Sequence, residues 1–472
     1  MSSYYLIAIT VKFPEGVCPG DGLNGSNILM ISRNGSCRPV IRGSALAGVF
    51  RDAFRNYSND DHYVNKWFGY VSDDNGVKKM EQSHFKLHDL EFNEIDQNHS
   101  VPVRTHNAIN RHTGAVINGG GLFSIEYLPP NISGNIVAEL EGLNDEECIC
   151  FINNLKDLLG ENLFFGGNRN RGIGRAVFSK IRYNAYDCSN VSDYAELLDS
   201  KYYLNKTGKI EYKKEILVKN NENDFVISVK LAIPRGEDFV IGYGPTLSNT
   251  SEPQWVKDAS GKKYWRIPGS SIRGVFRSWM TRLAALDKEK TGKITDDAGL
   301  FRSGENEIKG DNIGWGFIEK EEERKKYLKN PELLDDPILS LFGSLYKRGR
   351  IHFSDVLAEV GRESESQVRK HVAIDSFSGA ANEGALFENM VLVSPDISFN
   401  LNIRIKQNEN PQKNEKEIQW LFQTLKSLHL GIISIGSSKG SGRLIIKDIR
   451  ANSNYQQDKI RELCKFIKDN HD

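Results

Sequence analysis

The chain lacks net charge, is short of cysteine and has no long apolar run. Its 62 Lys and Arg balance 62 Asp and Glu over 472 residues. That balance excludes a protein that coats polyanions indiscriminately. Six cysteines (18, 37, 148, 150, 188 and 464) include no Cys-x-x-Cys pair, which argues against a zinc knuckle or a disulfide framework. All six are expected to be reduced thiols, and the protein cytoplasmic. No stretch of about 18 apolar residues occurs, so no membrane-spanning helix is expected. The opening MSSYYLIAITVKF has no charged leader and reads as a strand. No Gly-Lys-Ser or Gly-Lys-Thr occurs, which excludes a Walker A loop.

What is there instead is repetition. Residues 40–51 read VIRGSALAGVFR and residues 266–277 read RIPGSSIRGVFR. Arg51 thus pairs with Arg277, at an offset of 277 − 51 = 226. Trp67-Phe68-Gly69 is echoed by Leu341-Phe342-Gly343. His106-Asn107-Ala108-Ile109-Asn110 with Leu122-Phe123 is echoed by His371-Val372-Ala373-Ile374-Asp375 with Leu386-Phe387. The loop from Gly167 to Arg175 is echoed by Gly436 to Arg443. The same motifs in the same order mean two copies of one domain.

Each copy opens with a strand, at 4–13 and 225–233, whose side chains alternate with a β period. Broken loops follow, Gly20-Asp21-Gly22 and Gly242-Tyr243-Gly244. A helix then starts at the repeated phrase. Leu46, Val49, Phe50, Ala53 and Phe54 share one face, as do Ile272, Val275, Phe276, Trp279 and Met280. Ser44, and Ser270 or Ser271, stand where an N-cap is wanted. Late helices are expected at about 144–159 and 414–430, stopped by Gly160 and Gly431. The order strand–helix–strands–helix–strand predicts an α+β fold of two tandem ferredoxin-like domains. The expected bounds are 1–185 and 224–472, joined by a polar, irregular stretch at 186–223. A Lys- and Glu-rich insertion covers 284–338.

Charge is uneven even though it sums to zero. Residues 266–282 carry Arg266, Arg273, Arg277 and Arg282 and no acid. The loop at 166–175 carries Arg169, Arg171 and Arg175 and no acid. Local basic loops of this kind suit a nucleic-acid groove. Arg42, Gly43, Ser44 and Arg51 in copy one, with Gly269, Ser270, Ser271, Arg273 and Arg277 in copy two, put backbone N–H groups and cations at a helix start. Such a start seats a phosphate. In the second loop the cations are Lys439 and Arg443. The glycines there allow a single-stranded backbone to come close.

These motifs together resemble the RAMP superfamily. The residues that carry the likeness are the Ile267-Pro268-Gly269-Ser270-Ser271-Ile272-Arg273-Gly274-Val275-Phe276-Arg277 helix start, the late Gly-rich loop, and Asn107-Ala108-Ile109-Asn110-Arg111-His112-Thr113-Gly114-Ala115. Copy two keeps Asp375 and Gly379 but has Ser376 where Arg111 stands. The likeness implies two fused backbone subunits of a type III CRISPR effector complex. It implies binding of a CRISPR guide RNA, capture of a single-stranded target RNA, and contacts to other effector subunits. Thumb hairpins are implied, expected within 81–118 and 350–383, and Asn107, Arg111 and His371 are then expected to touch RNA. A loop acid that cuts the target with Mg2+ or Mn2+ is also implied. Glu252, with Asp258 as a companion, fills that place in copy two. Copy one has only Asp21 nearby. Asp375 joins the candidate acids. His106 and His371 are open as RNA contacts or general bases. The alternatives are a non-catalytic scaffold and a metal-independent ribonuclease that processes CRISPR repeats.

Overall fold

The computed structural model describes residues 3–24, 28–74, 77–92, 101–107, 122–142, 144–206, 210–219, 224–241, 250–291, 337–343, 348–361, 365–407, 410–436, 441–452 and 457–470. Copy one runs through β1 (Ser3–Phe13), β2 (Gly20–Asn24), β3 (Ile28–Ile31), α1 (Gly43–Ser58), α2 (Asp61–Phe68), β4 (Phe85–Leu87), β5 (Val103–Asn107), β6 (Leu122–Glu126), β7 (Ile132–Gly142), α3 (Asp145–Leu159) and β8 (Arg175–Asp187), besides shorter strands. The join carries α4 (Val191–Lys206) and β9 (Lys214–Leu217). Copy two runs through β10 (Phe225–Ala232), β11 (Thr250–Ser251), β12 (Trp255–Lys257), β13 (Lys263–Ile267), α5 (Gly269–Thr291), α6 (Pro337–Phe342), β14 (Ile351–Phe353), β15 (Val356–Glu359), β16 (Ser366–Ile374), β17 (Ala381–Leu392), β18 (Ser398–Ile405), α7 (Pro411–His429), β19 (Ile445–Ala451) and α8 (Gln457–Asp469).

Each copy has a main antiparallel sheet with its first strand in the middle. The orders are β8-β1-β7-β4 and β19-β10-β18-β14. In β1 the side chains from Tyr5 to Ile9 are all buried, as a central strand covered on both faces requires. Helices cover one face of each sheet. On α1, Leu46, Phe50 and Phe54 are fully buried, and Phe54 stacks on Phe151 of α3 at 5.1 Å. On α5, Ile272, Phe276 and Met280 do the same work. The fourfold spacing of these residues is the helical face the sequence predicts. Helix α3 ends before Gly160, and α7 ends at His429 with Gly431 two residues on at φ 72°.

Two expectations need correction. Neither helix start is capped by serine. Helix α1 begins at Gly43, whose N–H donates to Asp89 Oδ1 at 2.8 Å. Helix α5 begins at Gly269, whose N–H donates to Asp355 Oδ1, also at 2.8 Å. The glycines make this possible. A Cβ on Gly269 would lie 2.5 Å from the Phe353 carbonyl, and one on Gly43 would strike the Leu87 carbonyl. The helix start therefore presses against the end of a core strand, and the aspartate two residues past that end reaches it. Next, both segments expected to hold thumbs begin with core. Phe85, Ile351 and Phe353 are buried in the main sheets. The part that departs from the sheet in copy two is the β16–β17 hairpin. Its counterpart in copy one is β5–β6, whose turn, like most of the 284–338 insertion, lies outside the described residues.

Candidate nucleic-acid interface at the junction of the copies

The late loop of copy one docks on the helix start of copy two. Arg104 on β5 forms a two-pronged pair with Asp355, Nη1 to Oδ2 at 2.8 Å and Nη2 to Oδ1 at 3.2 Å, and both side chains are only 2 % exposed. The Asp355 N–H donates to the Gly172 carbonyl at 3.1 Å. Gly172 needs to be glycine here: its φ is 87°, and a Cβ would lie 2.6 Å from the Asp355 nitrogen. Arg266 Nη1 donates to the Tyr127 hydroxyl at 2.7 Å. Between these polar contacts lies a small apolar cluster of Cys18, Ile125, Tyr127, Ile173 and Val256.

Cations gather round this junction. Arg169 and Arg171 lie in a single helical turn, Arg169–Arg171, that packs on α5. The Arg171 guanidinium sits 4.1 Å above the Phe123 ring, and that ring stacks on His106 at 5.3 Å. Burial, and then Arg104, push Arg171 down to about 10. Burial, and then the neighbouring Arg348, push Arg169 to about 10, with Asp52 opposing. Arg348 is lowered by burial too. Like charges held this close favour a bound anion, which would relieve their repulsion. His106 is pushed to about 2, first by burial and then by Arg104, Arg171 and Arg266. It is neutral at working pH, and a base that weak is unsuited to proton abstraction.

The predicted residues fall into three groups. Several are tied into the protein itself. Arg42 bonds Ser32, Asp89 and the Arg33 carbonyl. Arg51 donates to Asn65 at 2.9 Å. Arg175 pairs with Glu15 at 3.0 Å and Arg443 with Glu237 at 2.6 Å. Arg273 donates to the Phe342 carbonyl, and both it and Arg277 are buried beside the Phe342 ring. Arg273 is pushed to about 10 by burial. The first N–H at each helix start, at Gly43 and Gly269, is taken by an aspartate. Ser44 is exposed, and Ser270 and Ser271 are half-buried. Placed for contact are Arg169, Arg171 and the half-buried His371, which stacks on Phe387 at 5.2 Å. Asn107 ends β5, and Arg111 and Lys439 lie outside the described residues.

The acids divide as well. Asp258 Oδ1 accepts from Ser260 N, Ser260 Oγ and Lys262 N, which closes the β12–β13 turn. Asp375 Oδ1 accepts from Phe377 N, Ser378 N and Ser378 Oγ, which closes the β16–β17 turn. Those hydrogen bonds lower Asp375. Asp21 is exposed on β2, and Glu252 is half-buried just after β11. Among the described residues no three His, Cys, Asp or Glu side chains converge as metal ligands.

Sequence reasoning missed Asp89, Asp355, Arg104 and Arg348. A signal for the two aspartates existed: Leu87-His88-Asp89-Leu90 and Phe353-Ser354-Asp355-Val356 share an Asp between apolar residues. The RAMP superfamily profile matches residues 17–177 and again 250–445. The chain belongs to that superfamily as a tandem, two-domain member. It is accordingly a CRISPR-associated, RNA-binding subunit. No curated protein matches the chain. Among the described residues no helix is long and apolar enough to cross a membrane.

Proposed function

We propose that the chain is a double backbone subunit of a type III CRISPR effector complex, holding guide RNA along both copies and capturing target RNA on it. The observation that carries this reading is the β16–β17 hairpin. Phe377 at its turn is fully exposed, and Ile374 and Leu386 are 65 % and 61 % exposed. An aromatic tip on an apolar hairpin has no use in the fold but suits stacking against, or wedging between, unpaired bases. The hairpin is the thumb of copy two in this reading, and β5–β6 that of copy one. The main sheet order, with the first strand between the third and the last, supports a ferredoxin-like core in each copy. The rim arginines, Arg169 and Arg348, take the phosphates.

The two sets of contacts are separable by salt. Phe377→Ala should weaken binding of single-stranded RNA by about 1–3 kcal/mol with the salt slope unchanged. Replacing Arg169 and Arg348 together by Ala should weaken binding and reduce the slope of log affinity against log salt. RNA affinity unmoved by both changes would end this reading.

Target cutting belongs to the same proposal. Because Asp258 and Asp375 spend their carboxylates on turns, Asp21 and Glu252 are the acids to test. Asp21→Ala and Glu252→Ala in the assembled complex should each remove one cut and leave target binding intact. A double variant that cuts like the wild type makes both acids ordinary loop residues, and a wild-type complex that does not cut leaves a non-cutting scaffold.

A further inference from the structure

The join between the copies carries a helix that is no part of the repeat. Helix α4 lies between the two regions that match the superfamily profile, 17–177 and 250–445. It packs on the face of copy one's main sheet opposite α1 and α3. Side chains alternate along β1: Tyr5 and Ile7 belong to the main core, whereas Leu6 forms a separate cluster with Tyr186 of β8 and Leu197 of α4. Copy two differs after its last strand, where Leu463 and Ile467 of α8 enter the main core.

One face of α4 fixes it in place. Asn190 Oδ1 accepts from Ser192 N at 2.9 Å at the helix start. Leu197 is buried, and Ser200 Oγ lies 3.0 Å from the Tyr186 hydroxyl. Lys201 Nζ donates to the Tyr4 hydroxyl and to Glu139 Oε2, at 2.9 Å each. On the other face Val191, Tyr194, Ala195 and Leu198 recur at i, i+3, i+4 and i+7, the spacing of a buried stripe. Yet all four are exposed, Val191 at 84 %, Tyr194 at 48 % and Leu198 at 51 %. A helix anchored on one side gains nothing in the fold from an apolar stripe on the other. Anchors at this spacing are what one helix offers to a partner.

Charge decides the kind of partner. Residues 187–200 hold Asp187, Asp193, Glu196 and Asp199 and no Lys or Arg. At about 100° per residue, Glu196 and Asp199 fall along one edge of the stripe, and both are exposed. That edge already attracts a cation, since Glu196 pairs with Lys213 at the surface. Carboxylates there repel RNA phosphates and anionic lipid headgroups alike. A symmetric antiparallel pair of α4 helices would set the same carboxylates side by side.

We propose that α4 is a docking helix for a different protein, which lays across it an amphipathic helix with leucine-like residues in the seam and Lys or Arg along the edge that meets Glu196 and Asp199. The stripe spans two turns, so the contact is small and reversible. No residue in it belongs to the RNA-binding reading above.

The probe is a fluorescent helical peptide of about three heptads, with Leu in the seam and Lys on its flanks. It is titrated into the full chain, freed of RNA, and read by anisotropy beside a twin that has Glu for Lys. The wild type should bind the lysine peptide and not the glutamate peptide. Tyr194→Gln with Leu198→Gln should weaken binding about tenfold or more. The melting temperature should not move, because both side chains already face water. Asp199→Lys should weaken binding of the lysine peptide and strengthen that of the glutamate peptide. The proposal is overturned if the lysine peptide does not bind, if it binds the double Gln variant as tightly as the wild type, or if the glutamate peptide binds equally well. It is equally overturned if sedimentation shows a wild-type dimer that Leu198→Gln splits, which would make the occupant a second copy.

Discussion

The same hairpin base occurs twice in this protein, once sealed and once open. Around Arg104 it is covered by copy two, and Arg104 is buried. Around Arg369, which stands two residues before the stacked His371 as Arg104 does before His106, it faces solvent, and Arg369 pairs with Asp238 at 2.8 Å. The chemistry differs accordingly. A sealed ion pair is costly to break because the survivor is left charged and dry, whereas an open one is backed by water. Arg104→Ala should cost about 3–5 kcal/mol in a urea titration, and Arg369→Ala about 0–1 kcal/mol in the same assay. Equal costs would mean that the copies do not dock on each other in solution as they do in the structure.

Two glycines sharpen the comparison at smaller scale. Gly172 sits in the sealed junction at φ 87°, and Gly379 in the open hairpin turn at φ 67°. A Cβ on Gly379 meets nothing within 4 Å, whereas one on Gly172 meets the Asp355 backbone. Gly379→Ala should therefore cost only the left-handed strain, about 1–2 kcal/mol. Gly172→Ala adds a clash with backbone and should cost roughly twice that or more. Thermal melts of the two variants give the ranking.

Acid should act on the sealed side. His106 falls from an ordinary 6.5 to about 2, and His352, in ring contact with Phe164 across the copies, falls to about 3 for the same main reason, burial. The folded chain keeps both rings neutral while the unfolded chain takes up protons below about 6.5. Stability is therefore full above that pH and is lost as pH falls from there toward 3. Each ring contributes a slope of up to about 1.4 kcal/mol per pH unit. Unfolding free energy measured from pH 7 to 4 should flatten by one such contribution in His106→Phe.

Much of the fold could be read from local pattern. The doubled Gly-Ser phrase, the apolar faces of α1 and α5 and the helix stops near Gly160 and Gly431 each depend on residues close in sequence. The junction could not be read that way. Arg104 and Asp355 are 251 residues apart, and nothing local to either announces the other. The turn role of Asp258 is hidden in the sequence for a different reason. An Asx side chain closes a turn equally well as Asn or Asp, so Asn34 and Asp258 do one job with different letters. At the expected phosphate seats the first N–H is already taken, because a helix start attracts any anion and here the protein supplies its own in Asp89 and Asp355.

The span between Arg104 and Asp355 has a consequence for how the protein is made. At ribosomal speeds of 5–20 residues per second, about 10–50 seconds pass between the two residues. Copy one has all of its main-sheet strands during that interval and can fold. The face bearing Cys18, Ile125, Tyr127 and Ile173 then meets water with Arg104 unpaired. What becomes an internal seam begins as the sticky flank of a nascent chain. Neighbouring ribosomes on one message present that flank side by side, so the growing second copy competes with other chains for the first.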